Sequence, residues 1–578
     1  MSSIGLVEGG DGVVVAPAGT PVSDWASRVE RGTILVLEGD SPLAASFGFV
    51  PSAKRVMAAS VEDVHAPKLK IVWEKQISLA VFDLPKEARM FARERWSGAP
   101  LIAGFRRGAG AVLWVAASPG ARGYERFPYL MQALGDLGLE APFRSGRLWA
   151  FFDSAYRARV DLDYFAPRWR AAGIGALHVA AWHYWVELPH VSEKFWDEHP
   201  EWREKTALGQ DAQLDWRKLM NLTNRDAFRA VAAGMKDLIG RFDWDGVNLA
   251  ELYFESLEGV DNPARFTPWN DDVRAAFSKS AGSDAWRTPA FLEFRAELAR
   301  KAQEEWIGVV EETRRAKPHL DLTLTHVDDR FDTSMREKIG ADASRVLPML
   351  SSHDFTFLIE DPATIWNLGP ARYPQIAARY KPLTGAQDKL AIDINVVERY
   401  QDVYPTKQQT GIELFELVHT ASAAFPKVAL YFENSILRQD WALLGSAAST
   451  VTRAERSGGK MIVDSLRGLG VPWTGSATVD GRLWPVAGDN VVWLPRGGHV
   501  VEASAQRAPL RVLDFSGELK SASVVGGGVE FAYQSSSRAM AWVERRPRRV
   551  EIDGVEAPVE WVGDVAMLPR GQHIVVME

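Results

Sequence analysis

Cysteine is absent from all 578 residues. Disulfides, thiolate nucleophiles and Cys-ligated zinc or iron–sulfur sites are therefore excluded together. Long hydrophobic runs are also lacking. No stretch reaches the roughly 18 apolar residues of a membrane span, so no membrane partner is expected. There is no basic block, and the formal charge of −8 with mixed signs argues against a nucleic-acid footprint. The opening Met1-Ser-Ser-Ile-Gly-Leu-Val-Glu-Gly-Gly10 has neither a basic region nor an apolar core of the kind that targets a chain for export. The expectation is a cytoplasmic protein, or a periplasmic or secreted one if the N-terminus is trimmed. Phosphate-binding loops are missing as well. Gly108-Ala-Gly110 precedes its strand, the wrong order for a nucleotide loop, and no cofactor is expected.

What is present is an ordinary globular balance, 46% hydrophobic and 25% charged, in a chain too long for one core. Tryptophan stands out, with 22 copies. Indoles serve both core packing and stacking against sugar rings.

The texture divides into three. Residues 1–145 alternate β runs with helices: Gly12–Pro17, a helix over Asp24–Glu30, Gly32–Glu38, Gly108–Ala116, and a helix over Tyr129–Leu137 behind Pro128. This is an open α/β pattern. From 146 to 456 strand and helix signals alternate with a longer period. Eight strands are predicted: Leu148–Asp153, Ala176–Trp182, Leu219–Leu222, Val247–Glu251, Leu320–Thr325, Phe355–Ile359, Lys389–Ile394 and Val428–Phe432. Eight such units are the count of a parallel (β/α)8 TIM barrel. A helix is predicted from Phe291 to Ala316 behind Pro289, and another opens at the N-cap Asn224. Residues 457–578 change to β runs separated by glycine turns, read as an accessory β-sandwich. Here Leu494-Pro-Arg-Gly-Gly-His499 recurs as Leu568-Pro-Arg-Gly-Gln-His573. A turn leading into a strand accounts for the repeat better than a metal site, because each copy offers one ligand.

Barrel enzymes present their chemistry at the C-terminal ends of the strands, and acids at those ends are the first candidates. Glu251 ends the fourth predicted strand, Asp393 the seventh, and Glu433 follows the eighth. Asp153 closes the first. Trp182, His183 and Trp185 open a long tryptophan-rich loop that includes Trp202, a platform for sugars. His326 and Asp328 follow strand five, His353 and Asp354 precede strand six, and Asn395 and Tyr431 lie at the ends of strands seven and eight. These residues are expected to bind substrate. A His/carboxylate metal site from His326, Asp328, His353 and Asp354 is the rival reading, but neither HxH nor HExxH supports it, and no metal is expected.

Three segments carry a family resemblance: His199-Pro-Glu-Trp202, Met220-Asn-Leu-Thr-Asn-Arg-Asp226, and Phe242-Asp-Trp-Asp-Gly-Val-Asn-Leu-Ala-Glu251. Residues 146–455 resemble the glycoside-hydrolase barrels related to the α-amylase superfamily. Arg225 replaces the usual proline, and the family's acid aligns with Ala250, one position before Glu251. The segments "RGTILVLEGDS" and "GAGAVLWVAASPG" resemble the class I glutamine-amidotransferase-like domain. Its nucleophile is Cys, so such a domain here is non-catalytic. The resemblance implies a glycoside hydrolase cleaving an oligo- or polysaccharide, with Glu251 as acid/base and Asp393 or Glu433 as its partner. On the same analogy a homo-oligomer is allowed. The alternatives are a catalytically silent carbohydrate-binding protein and a metal-dependent hydrolase or deacetylase.

Overall fold

The computed structural model describes residues 12–120, 125–139, 141–152, 160–179, 192–214, 217–250, 252–254, 258–282, 285–361, 369–396, 403–404 and 408–578. Within these the chain is a mixed α/β protein whose centre is a nearly closed, parallel, barrel-like sheet of seven strands. In chain order they are β1 (Leu148–Phe152), β2 (Ile174–Val179), β3 (Gly246–Leu249), β4 (Asp321–Val327), β5 (Thr356–Glu360), β6 (Leu390–Asn395) and β7 (Lys427–Tyr431). They pair in the order β3-β4-β5-β6-β7-β1-β2.

Strands β1 and β4 to β7 are apolar on both faces because both faces are buried. Successive side chains point opposite ways. Trp149, Leu358, Ala391 and Ala429 cluster inside the barrel, while Leu148, Leu324, Phe357, Ile392 and Leu430 join the core shared with the helices. The helix Pro289–Thr313 starts with proline in its first turn, and Thr288 Oγ1 accepts from Phe291 N at 3.2 Å. Asn224 caps the helix Arg225–Arg241 by accepting from Asp226 N and Ala227 N.

The predicted third strand, Leu219–Leu222, is not a barrel strand. Its backbone is satisfied by the excursion that follows β2: Glu204 N donates to Leu219 O at 3.0 Å, Leu219 N to Ala212 O at 3.1 Å, and Asn221 N to Trp202 O at 2.8 Å. The run is apolar because Leu219 and Met220 are buried, not because it enters the barrel. The seam between β2 and β3 is spanned by side chains. Asn248 Nδ2 donates to His178 Nδ1 at 3.0 Å, and Thr325 Oγ1 donates to Asn248 Oδ1 at 2.8 Å. Burial pushes His178 down to about 4, so its Nδ1 is an available acceptor.

The N-terminal region builds an eight-stranded mixed sheet. Val13–Ala16, Ile34–Glu38 and Gly110–Val115 pair in parallel, as the α/β reading expects. Gly110 is needed at its strand entry, since a Cβ there would lie 2.2 Å from Thr33 O. The remainder is antiparallel and was not foreseen: Pro100–Arg107, Arg89–Glu94, and two 14-residue strands, Val50–Asp63 and Lys70–Asp83. The eighth strand, Val403–Tyr404, comes from the segment after β6 and pairs with Lys70–Ile71.

Residues beyond Val451 form antiparallel sheets around a third core that includes Val463, Val501, Phe531 and Val575. Each copy of the repeat meets an Asp-Gly turn. His499 Nδ1 donates to Asp480 Oδ2 at 2.8 Å and Val500 N to Asp480 Oδ1 at 2.9 Å. His573 Nδ1 and Ile574 N bind Asp553 in the same way at 2.7 and 2.9 Å. Asp480 and Asp553 have φ of 51° and 54°. The repeat thus includes the paired turn as well as the motif. No helix among the described residues is long and apolar enough to cross a membrane.

Candidate active site at the rim of the barrel

The end of β6 brings an acid inside the barrel. Ile392 and Ile394 face the helices, so the alternation turns Asp393 and Asn395 inward. Ile359 is the register partner of Ile392, which sets Glu360 of β5 beside Asp393 at the same level. Asp393 is 3% exposed, and its Oδ1 accepts from Asp361 N at 2.5 Å. Burial pushes its carboxyl well above the usual carboxylate range, and the neighbouring Glu360 and Asp361 charges push it further.

Burial raises the Asp361 carboxyl, and a buried guanidinium opposes that shift. Arg372 Nη2 donates to its Oδ2 at 2.6 Å, Arg372 Nε lies at 3.0 Å, and Tyr373 Oη donates to the same oxygen at 3.1 Å. Any charge on Asp361 is therefore met by Arg372. Glu360 is half-buried and receives Tyr253 Oη at 3.5 Å. Beside the pair, Asn395 Oδ1 is buried without a hydrogen-bond partner, and Tyr431 on β7 is the register partner of Asn395. The Tyr431 ring packs edge-on to Phe151 at 5.2 Å.

Of the predicted site residues, the structure brings Asp393, Asn395 and Tyr431 together and separates the others. Glu433 lies in the helix layer: it is fully buried and its Oε1 accepts from Trp169 Nε1 at 2.7 Å. Asp328, also fully buried, closes a turn by accepting from Phe331 N, Asp332 N at 2.9 Å and Tyr380 Oη at 2.8 Å. His326 alternates outward on β4, between Phe357 and Gln303 Nε2, which is 3.5 Å from its Nδ1.

His353 and Asp354 precede β5 and therefore sit at the opposite, N-terminal end of the barrel, its floor. There His353 Nδ1 donates to Glu311 Oε2 at 3.0 Å, and Asp354 receives Lys389 Nζ at 2.7 Å and Arg570. Trp202 stacks on His199 with ring centroids 4.0 Å apart, which is packing and not a free platform. Glu251, Asp153, Trp182, His183 and Trp185 lie outside the described residues. Ala250, where the resembling family carries its acid, lines a cavity inside the barrel. His326, Asp328, His353 and Asp354 do not converge, and no group of three potential metal ligands occurs among the described residues.

Glu360 was missed. It follows the apolar run Phe355–Ile359 as directly as Asp393 ends its own, and the same rule about strand-terminal acids would have found it. The Asp361–Arg372 pair carries no such signal, because 11 residues separate its members.

No family model matches this chain, and no curated protein matches it. Solved structures do. The PgaB (BpsB) glycoside hydrolase domain from Bordetella bronchiseptica is 10% identical with a TM-score of 0.37, over 50% of this chain and 94% of that one. A β-galactosidase from Halorubrum lacusprofundi is 13% identical with a TM-score of 0.38, over 54% of this chain and 59% of that one, less than two thirds of its length. The catalytic domain of β-amylase from Paenibacillus polymyxa is 11% identical with a TM-score of 0.32, over 55% and 91%. Likenesses of this degree carry no weight for function, which rests on the residues of the rim.

Proposed function

We propose that the chain is a glycoside hydrolase acting on an oligo- or polysaccharide at the C-terminal rim of its barrel. The observation that carries this reading is the inward-facing pair at the ends of β5 and β6, where burial and the neighbouring Glu360 charge raise the Asp393 carboxyl. Glycoside cleavage requires one carboxylic acid to protonate the leaving oxygen and one carboxylate to attack or activate water. Asp393 is the acid: it is buried, its neighbours are negative, and the proton it keeps is the one the leaving group needs. Glu360 is the carboxylate. Neighbouring strands lie about 4.8 Å apart, and carboxyls at one level of such strands fall near the roughly 5 Å of retaining enzymes. Asn395 Oδ1, an unused acceptor, receives a sugar hydroxyl, and Tyr431 supplies an aromatic wall.

In this reading residues 1–145 form a non-catalytic amidotransferase-like domain, 146–456 the catalytic barrel, and 457–578 a β-sandwich. Glu251 remains the acid that the family resemblance favours. The test is hydrolysis over a glycan panel by wild type, Asp393→Asn, Glu360→Gln and Glu251→Gln. Loss of about 10²–10⁴-fold in kcat is expected for Asp393→Asn and Glu360→Gln, with folding retained. Full activity in both sinks the pair, and loss only in Glu251→Gln moves the acid to the end of β3. The absence of the family acid at Ala250 favours one second reading, a silent carbohydrate-binding barrel. Saturable sugar binding without turnover in the wild type would establish it.

A further inference from the structure

A cavity of about 1190 Å³ lies between the barrel floor and the C-terminal β region, reaching into the lumen as far as Tyr431 but lined by neither Asp393 nor Glu360. Five arginines line it, Arg217 and Arg538 among them; the other three are Arg147 on the loop entering β1, Arg467 before the strand Leu469–Pro472, and Arg496 after the strand Val491–Leu494. Those two strands pair with Leu469 opposite Leu494, so Arg467 and Arg496 emerge at one end of the same ladder. Arg147 Nη2 donates to Pro426 O, but its Nη1 is buried without a partner, as is Arg467 Nε. Among the described residues no carboxylate forms an ion pair with any of the three. Glu518 is the acid whose field reaches all of them, and Lys520 Nζ already holds it at 2.9 Å.

A buried guanidinium N–H without an acceptor is costly, and three cations gathered about one carboxylate that a lysine already holds raise that cost. Structural arginines at this interface look different. Arg570, the counterpart of Arg496 in the sequence repeat, is paired with Asp354, and Arg538 is paired with Asp243 and Asp245. The two repeat copies thus diverge at one position: one arginine docks the β region on the barrel, and the other lines the cavity in the field of Glu518 with no ion pair of its own. The cavity is much larger than an inorganic ion and comparable to a small-molecule site, and Trp493 and Phe515 give it flat apolar walls.

We propose that this floor cavity binds a small ring-bearing molecule through an oxyanion, carboxylate or phosphate, received by Arg147, Arg467 and Arg496, with the ring against Trp493 and Phe515. Planar guanidinium forks suit both oxyanions. The cavity reaches the Tyr431 wall of the rim site but uses neither Asp393 nor Glu360, and the proposal does not rest on the sugar cleavage proposed there.

The test is calorimetric titration of the full chain with glucuronate, glucose 6-phosphate, inorganic phosphate and neutral glucose at matched ionic strength, for wild type and Arg467→Gln/Arg496→Gln. Saturable binding of glucuronate or glucose 6-phosphate is expected, weakened at least tenfold in the double variant, with no binding of glucose. The stronger of the two identifies the oxyanion. Binding of inorganic phosphate alone, no binding of either sugar anion, or binding unchanged in the double variant overturns the proposal. The double variant is expected to keep the wild-type melting temperature, because neither side chain makes an ion pair in the fold. A folded variant that loses glucuronate or glucose 6-phosphate binding while rim activity persists separates this site from the catalytic one.

Discussion

Asp393 shows what one residue's surroundings decide. Read in the sequence, it is an acid in an apolar β run, which must be paired, protonated or functional. The fold buries it, which is the largest effect, and sets Glu360 and Asp361 beside it. Its proton therefore persists well above the pH at which an exposed aspartic acid loses it. If Asp393 is the general acid, the alkaline limb of kcat/KM lies above the ordinary carboxylate range. Replacing Glu360 by Gln removes one of the charges raising the carboxyl, so in the residual activity that limb moves to lower pH. The movement is partial, because burial is the larger cause. A pH–rate profile of Glu360→Gln with its alkaline limb unmoved or raised would contradict the assignment. Glu433 makes the contrast: an equally suggestive acid one strand away, yet bonded to Trp169 in the helix layer. Its mutation to Gln should cost stability before it costs catalysis, read as a lower melting temperature with rim chemistry intact.

At the scale of elements, the helix Leu130–Asp136 joins two cores, with Met131 in the barrel's and Leu130, Ala133 and Leu134 in that of the N-terminal sheet. Its Gln132 donates to the buried Asp440 at 2.8 Å, and Thr410 Oγ1 and Gly411 N donate to the same carboxyl at 2.7 and 3.0 Å. Burial outweighs these hydrogen bonds and pushes Asp440 up to about 7. The folded state then holds this proton more tightly than the unfolded chain does. The contribution is complete below about pH 4 and is lost as pH rises toward 7, by a few kcal/mol. Asp440→Asn fits the same donors, with its amide turned to Thr410, and does not titrate. Its melting temperature relative to wild type should rise between pH 5 and 7.5. Parallel curves for the two proteins would show that Asp440 is not the titrating group.

Over the whole molecule, the C-terminal β region is fastened to the barrel floor by ionic contacts. Arg538 pairs with Asp243 at 2.8 Å and Asp245 at 2.5 Å, Arg570 pairs with Asp354, Arg170 with Asp514, and Lys427 Nζ donates to Ser536 at 2.6 Å. Such partly exposed pairs contribute about 0–1 kcal/mol each and weaken with salt. In calorimetry Arg538→Gln/Arg570→Gln should release an earlier, separate transition for the β region, and high salt should widen the same separation in wild type. A single unchanged transition in the variant would mean that apolar packing carries the joint.

The sequence by itself determined most strand and helix positions, because the strands of a sheet buried on both faces are apolar runs and helix caps are local. It also located the acids at strand ends. It misplaced Leu219–Leu222, because apolar character reports burial and not the identity of the pairing partner. Half of the N-terminal sheet was illegible for a related reason: Val50–Asp63 and Lys70–Asp83 mix exposed and buried positions without strict alternation. Only the tertiary structure decided which strand-end acids share a space. Asp393 meets Glu360 through strand register, Asp361 is paired with Arg372 from the following helix, and His353 and Asp354 fall at the far end because they stand before a strand instead of after it. The fold likewise separated Arg570, paired, from Arg496, unpaired, in two copies of one motif. Charge and acidity at these positions are set by neighbours distant in the chain, so no local reading of residues can supply them.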